Sequence, residues 1–249
     1  IKAGVPVVIG ETTPETRMVF DALAAEAKAP ITYAEDHQEI RSYEPTGSGL
    51  LYHTEHFGIL EGELGGLYQV RNTNTVLNAI RQIERLGFMH TTHSPSDQRC
   101  QNKEVREGFK MVCELTGLEG RWQTVKESPM TVCDTGHNVD GWRWLSQQLK
   151  NVDCQQMHIV FGMVDDKDIE GVMALLPTTA TYYFTKANNK RAVSENLLKL
   201  YGQQLGLQGE GFSDVVSAYR AAEKAASVND FVFIGGSSYV VADFLKNCI

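Results

Sequence analysis

The stretch Met130-Thr131-Val132-Cys133-Asp134-Thr135-Gly136-His137-Asn138 decides how the second half of this chain is read. Residues with strand character end in a polar turn, and beyond Val139 the apolar residues Trp142, Leu145 and Leu149 fall at helical spacing. Strand, turn and helix in that order is the unit from which parallel sheets are built. Further apolar strands are predicted at Met157–Phe161, 182–184 and 231–234. Helices are marked by Val193, Leu197 and Tyr201, and by Val215, Tyr219, Ala222 and Ala226. Residues 118–249 are therefore expected to form an α/β domain, a Rossmann-like and mostly parallel sheet with helices on both faces.

Toward the N-terminus the pattern changes. A strand at 5–9 leads to Pro14, which suits the first turn of a helix over 15–28 capped by Thr12 or Thr13. Val19, Leu23 and Ala27, widened by Phe20, predict its core face, and 31–34 reads as a second strand. Turn signals at 45–49, Gly58, Gly62 and Gly65-Gly66 separate Leu50-Leu51-Tyr52-His53 from Phe57-Gly58-Ile59-Leu60, which predicts a small antiparallel meander within 36–66. Val76, Ile80 and Ile83 predict the core face of a helix over 72–86. Residues 90–102 read as a polar loop, and Val105, Phe109 and Val112 mark a third helix ending near Gly117. Residues 1–117 are thus read as the end of a different domain.

The bulk properties bound the function. At 249 residues two compact units are expected, and 42% hydrophobic residues suffice for their cores. A net charge of −8 argues against a general nucleic-acid binder, which needs clustered Lys and Arg. Five cysteines, odd in number and without a C-x-x-C pair, suit a reducing compartment, and the cytoplasm is the expected location. No apolar run approaches the roughly 20 residues of a membrane span, and no signal-peptide pattern is seen. The chain opens without Met and runs from Ile1 almost directly into an apolar strand, which reads as a fragment.

Several groups could carry chemistry. Asp134 and His137 follow a strand, where open α/β sheets bind ligands. The carboxylate suits a ribose diol and the imidazole an anion, although Asp and Asn at this place also serve as plain helix caps. Gly235-Gly236-Ser237-Ser238 opens a helix over 239–245 and suits a carboxylate or phosphate at its N-terminus, or simply tight packing. Arg121, at the domain junction, suits a phosphoryl group or is a solvated linker charge. Asp165-Asp166-Lys167-Asp168 reads as a loop and helix cap. The pairs His53/His56 and His90/His93 are dismissed as metal ligands, and no residue is assigned to a metal. No Gly-x-x-x-x-Gly-Lys-Ser/Thr loop occurs.

Taken in order, these pieces resemble the folylpolyglutamate synthase/dihydrofolate synthase family of the Mur-ligase superfamily. Ile1 to Glu11 resembles the segment after the family's Glu-Lys-Ala-Gly-Ile element, and Gly66-Leu67-Tyr68-Gln69-Val70-Arg71-Asn72 its Gly-x-His/Tyr-Gln-x-x-Asn helix start. Gly120-Arg121-Trp122-Gln123 is similar to its interdomain junction, and Asp134-Thr135-Gly136-His137-Asn138 to its Asp-Gly-Ala-His-Asn signature. Phe161 to Asp168, Arg191-Ala192 and Gly236-Ser237 match as well. Thr135-Gly136 stands where the family has Gly-Ala, and Val139 where it has Pro.

The resemblance implies an ATP-dependent amide ligase. In such an enzyme ATP phosphorylates a carboxylate of dihydropteroate or of a folate glutamate tail, and the amine of L-glutamate displaces phosphate from the acyl phosphate. By the same resemblance residues 1–117 are the end of a P-loop ATPase domain of the Mur-ligase central type, and 118–249 the C-terminal ligase domain. Asn72 is implied to contact adenine, Asp134 the ribose and Arg121 the phosphates, while His137 and Ser237 hold the incoming glutamate. His137 and Arg121 are the implied catalytic residues. ATP and Mg2+ are the implied cofactors, with the P-loop and metal ligands upstream of Ile1, and the isolated chain is expected to be inactive. The partners are small molecules, the protein a monomer. A peptidoglycan-precursor ligase of the same superfamily and a non-catalytic nucleotide-binding module are the alternatives.

Overall fold

The computed structural model describes residues 1–47, 49–88 and 103–249. It divides into two units, Ile1–Gly117 and Leu118–Ile249. The loop expected at 90–102 falls wholly outside the described residues.

In the first unit β1 (Val7–Ile9) and β2 (Ile31–Tyr33) pair in parallel, joined by α1 (Pro14–Glu26). Thr13 caps α1 through a reciprocal box: its Oγ1 accepts from the Thr16 N–H at 3.3 Å, and its own N–H donates to Thr16 Oγ1 at 2.8 Å. The expected core face of α1 is a different matter. Val19 and Leu23 are 56% and 46% exposed, and within the helix only Ala24 is buried. The helical period holds, but the described residues do not cover that stripe.

The meander forms as expected, with β3 (Ile40–Pro45), β4 (Leu50–Thr54) and β5 (Ile59–Gly62) antiparallel in that order. Alternate residues of β4 point inward. Leu50 and Tyr52 join Phe57, Leu60, Leu77 and Val105 in a small core. It is closed by α2 (Gln69–Arg85) and α3 (Lys103–Lys110); α4 (Val112–Thr116) follows and ends at Gly117, left-handed at φ 68°.

The inward face of α2 is not the predicted one. Val76 and Ile83 are exposed, and the helix buries Thr73, Asn74, Leu77 and Asn78 instead. The reason is backbone satisfaction. Asn74 accepts from the Glu39 N–H at 2.8 Å and donates to the Ala34 carbonyl at 2.7 Å. Asn78 donates to the His37 carbonyl at 2.8 Å. Amides facing the irregular segment 34–39 satisfy groups that would otherwise be buried without partners. Glu39, itself buried, is held by Arg81 at 2.6 Å and His56 at 2.9 Å.

The second unit comprises β6 (Gln123–Glu127), β7 (Met130–Cys133), α5 (Val139–Lys150), β8 (Met157–Phe161), α6 (Ile169–Met173) and β9 (Thr181–Thr185). It continues with α7 (Glu195–Gln204), β10 (Gln208–Phe212), α8 (Val215–Ala225), β11 (Phe231–Gly235) and α9 (Ser238–Cys248). The six strands lie in the order β10-β9-β8-β11-β7-β6, all parallel except β6, which runs antiparallel to β7. Central β11 is buried along its whole length, as a strand covered on both faces must be. Trp142 of α5 meets Phe161 and Phe233 edge-on, at 5.6 and 5.9 Å between ring centroids. Val215, Tyr219, Val240 and Phe244 of α8 and α9 pack with Val160, Val232 and Ile234.

Two features here escaped the sequence reading. Polar β6 and glycine-containing β10 are edge strands, which need no continuous apolar run. Short α6 follows the cap read at 165–168. The stripe expected at Val193, Leu197 and Tyr201 is replaced, since α7 starts at Glu195 and buries Leu198 and Gly202. A Cβ at Gly202 would lie 2.6 Å from the Phe184 ring, so close approach of helix to strand sets the rotation.

At the other end of the sheet His158 is buried, its Nδ1 3.0 Å from the Tyr183 hydroxyl and its Nε2 3.7 Å from Asp230. Burial pushes the imidazole below its ordinary pKa, with Asp230 opposing. The unfolded chain therefore takes up this proton first as pH falls, and stability drops below about pH 6.5 by at most about 1.4 kcal/mol per pH unit, until the folded group also titrates. Urea midpoints followed by tryptophan fluorescence from pH 8 to 5 should show that decline, with a shallower slope in His158→Gln.

Candidate functional site

From β8 the chain moves outward through β9 to β10, then returns to place β11 on the opposite side of β8. That reversal leaves a crevice at the carboxyl ends of β8 and β11, the place where open α/β sheets take ligands. Two glycines permit it. Gly236 sits at φ 96°, and a Cβ there would lie 2.6 Å from the Gly162 carbonyl oxygen, so only glycine lets the two strand ends approach. The crevice holds a cavity of about 160 Å³ lined by His137, Asp166, Lys167, Arg191, Ser237 and Tyr239, with Val164 and Ser238 completing the wall.

Each lining group arrives on a different element. Ser237 is buried and caps α9, its Oγ accepting from the Tyr239 N–H at 3.1 Å. His137 stands half-buried in the turn after β7, with Nδ1 3.0 Å from the Thr135 carbonyl. A carbonyl can only accept, so Nδ1 carries a proton, and whenever the ring holds only that one, Nε2 is left as an acceptor. Asp166 and Lys167 come from the loop after β8, where Asp168 caps α6 by accepting from the Gly171 N–H at 2.8 Å. Arg191 comes from the loop after β9, donating to Asp166 at 2.7 Å and to the Tyr239 hydroxyl at 2.9 Å. The acidic run at 165–168 is thus a loop and cap, as its composition suggested. Its lysine is also a cavity group, which the charge run by itself did not signal.

Asp134, expected to contact ribose, is built into the turn after β7. It is 1% exposed, and its two oxygens accept from the Trp122 N–H at 2.7 Å and the Gly136 N–H at 2.7 Å. Those bonds hold the entry to β6 and the turn that carries His137. Arg121 lies at the same entry, half-buried, with Nη1 3.3 Å from the Gly120 carbonyl, and does not line the cavity.

Asn72 belongs to the first unit, exposed near the start of α2 and donating to Gln69 Oε1 at 3.0 Å. It borders a second cavity, about 370 Å³, with walls that include Tyr52, Val76, Ile80 and Phe109. Val76, expected to face the core, thus borders a hollow, while Ile80 both lines it and packs against the core as expected. A mainly apolar slot with a carboxamide at its edge suits a flat heterocycle bearing exocyclic hydrogen-bonding groups. So the structure gathers His137 and Ser237 on one cavity, sets Asp134 beneath it, and leaves Arg121 and Asn72 elsewhere.

Residues 120–238 match the Mur ligase, glutamate ligase domain. The dihydrofolate synthase/folylpolyglutamate synthase of Escherichia coli (strain K12) is 33% identical over 132 residues, covering 52% of this chain and 30% of that protein. Its namesake from Bacillus subtilis (strain 168) is 24% identical over 253 residues, covering 99% of this chain and 55% of that one. Among solved structures, E. coli FolC in complex with DHPP and ADP has a TM-score of 0.72 at 25% identity, across 98% of this chain and 53% of that chain. The chain thus spans about half the length of these relatives, or less.

The two roles open to Asp134 are separable. Asp134→Ala leaves two backbone amides without their acceptor, and urea unfolding should show a loss of about 2–4 kcal/mol in the second unit. His137→Ala, at a half-exposed turn position, should cost less than about 1 kcal/mol. An Asp134→Ala protein as stable as the parent chain would return that carboxylate to a ligand-contact role.

Proposed function

We propose that this chain, whose residues 120–238 match the Mur ligase, glutamate ligase domain, is the C-terminal portion of an ATP-dependent ligase. The ligase would join L-glutamate to a carboxylate of dihydropteroate or of a folate glutamate tail. The observation that carries this reading is the convergence of His137, Lys167, Arg191 and Ser237 on one amino-acid-sized cavity at the switch point of the sheet. The names of the relatives favour folate substrates over a peptidoglycan precursor.

In this reading Ser237, the N-terminal amides of α9 and Lys167 receive the α-carboxylate of L-glutamate. His137 Nε2, an acceptor, orients its amine. ATP converts the acceptor carboxylate to an acyl phosphate, the amine adds to its carbonyl carbon, and the tetrahedral intermediate expels phosphate. Such a reaction depends on alignment and charge neutralisation rather than on a protein nucleophile. Arg121 supplies a cation toward the phosphates, and Asn72 with its neighbouring slot takes the adenine. Among the described residues no group of three or more His, Cys, Asp or Glu could hold a metal ion.

Residues 1–117 are read as the end of the ATP-binding domain. Two features support this: the relatives are about twice as long as this chain, and the apolar stripe of α1, with Met18, Val19 and Leu23, is exposed. The free Cys113, Cys133, Cys154 and Cys248 support a reducing, cytoplasmic setting. No described helix is long and apolar enough to cross a membrane.

The 249-residue chain alone should release no ADP from ATP when given L-glutamate and dihydropteroate. A longer chain containing it should release ADP in a glutamate-dependent way with dihydropteroate or a reduced folate, and His137→Ala should lower that rate about 10²-fold or more. Release only with a UDP-sugar peptide as acceptor would overturn the folate assignment.

A further inference from the structure

Trp122 adopts a backbone conformation that its side chain disfavours. At φ 52° it is the one residue of the second unit, glycine aside, in the left-handed region, where a bulky side chain is an outlier. Lys28, the other such residue among those described, lies just past the end of α1, where a left-handed residue closes a helix. No helix ends at Trp122, which stands directly before β6. Strain of this kind persists only where the surroundings impose it, and it gathers at functional sites.

The surroundings here are specific. The Trp122 N–H donates to the buried carboxylate of Asp134 at 2.7 Å. Its ring lies against Phe231 and Phe233 of central β11, with centroids 6.2 and 5.8 Å apart. On the other side of Arg121, Gly120 is fixed as firmly. Its carbonyl accepts from the Thr135 N–H at 2.9 Å and from the Thr135 hydroxyl at 3.1 Å, and its N–H donates to Gln123 Oε1 at 2.8 Å. A Cβ at Gly120 would lie 2.7 Å from Thr135 Cγ2, so the turn is packed as well as bonded. Between these two anchors the Arg121 side chain is lightly engaged. Arg143 and Arg191 of the same unit each pair with a carboxylate. The Arg121 guanidinium instead makes a 3.3 Å bond to the Gly120 carbonyl and has no ion-pair partner among the described residues.

A cation that stabilises charge developing on a phosphoryl group must already be in place, and a displacement of about 1 Å can cost on the order of 10²-fold in rate. A glycine at position 122 would take the left-handed backbone without strain, but would leave the turn no ring to anchor it. We propose that Trp122 is a positioning residue for Arg121: its ring, seated on Phe231 and Phe233, holds the strained turn and so fixes where the guanidinium meets the transferred phosphoryl group. This rests on the reading of Arg121 as the cation toward the phosphates, and deepens it by naming the side chain that aims it.

Glutamate-dependent ADP release by the longer chain tests this in two backgrounds, with Arg121 present and with Arg121→Ala. Arg121→Ala alone should lower kcat about 10²-fold or more. With Arg121 present, Trp122→Gly should lower kcat about tenfold, with KM for ATP and for L-glutamate within about twofold of the parent. Trp122→Phe keeps a ring for the stack and should recover most of that loss. In the Arg121→Ala background Trp122→Gly should change kcat by less than about twofold, because the cation it aims is gone. A residue that merely stabilises the fold would lose the same factor in both backgrounds. Circular dichroism and urea midpoints show that each variant is folded. Should Trp122→Gly not fold, Trp122→Leu, which keeps apolar bulk without the flat ring, is read in its place. Equal losses in the two backgrounds, or no loss where Arg121 is present, overturn the inference and leave the role of Arg121 standing. If Arg121→Ala keeps the parent kcat, or the parent releases no ADP, the reading of Arg121 fails and the inference with it.

Discussion

The carboxylate of Asp134 is the fixed point around which the second unit is arranged. Taking a carboxylate out of water is costly unless its lone pairs are met, and here the Trp122 and Gly136 amides meet them. One of those amides belongs to the antiparallel strand that enters the sheet, the other to the turn that leaves β7. A single buried group thus ties the edge of the sheet to the loop that carries His137. The left-handed backbone at Gly120 and Trp122, at φ 69° and 52°, follows from the same tie, because the chain must turn back for the Trp122 amide to reach the carboxylate.

On that frame the cavity is a consequence of strand order. Adjacent strands whose connections depart in opposite directions leave their carboxyl ends uncovered. Gly162 and Gly236 let those ends come together, and α9 starts at once from Ser237, which turns its free amides toward the gap. The loops after β8 and β9 are then joined by the Val164–Ala192 bridge, which brings Lys167 and Arg191 to the same wall. Side chains separated by 100 residues, His137 and Ser237, meet because three neighbouring strands end at one level.

The first unit shows the opposite economy. Its small core lies under the meander, while the inward face of α2 is given to Asn74 and Asn78, and its half-buried Arg81 holds buried Glu39. A polar face of this kind fixes one register firmly, since sliding the helix would strand several buried groups at once. Val76, freed from that duty, borders the hollow beside Asn72 together with Ile80. On α1 the apolar stripe meets no cover among the described residues.

Much of this was legible in the order of residues. Strand and helix periods marked the parallel domain, the meander and helix caps at Thr12 or Thr13 and at Asn138, because those signals depend on neighbours within a few positions. The motifs also marked His137 and Ser237 as site residues, since a polar turn after an apolar strand is a local pattern. The sequence could not show which face of α2 or α7 turns inward, because burial there is decided by distant carbonyls and by the Phe184 ring. Nor could it show that Asp134 accepts from two backbone amides, or that Arg191 joins Lys167 in the same cavity. Those outcomes depend on which strands lie side by side, and strand order is settled only when the whole sheet packs.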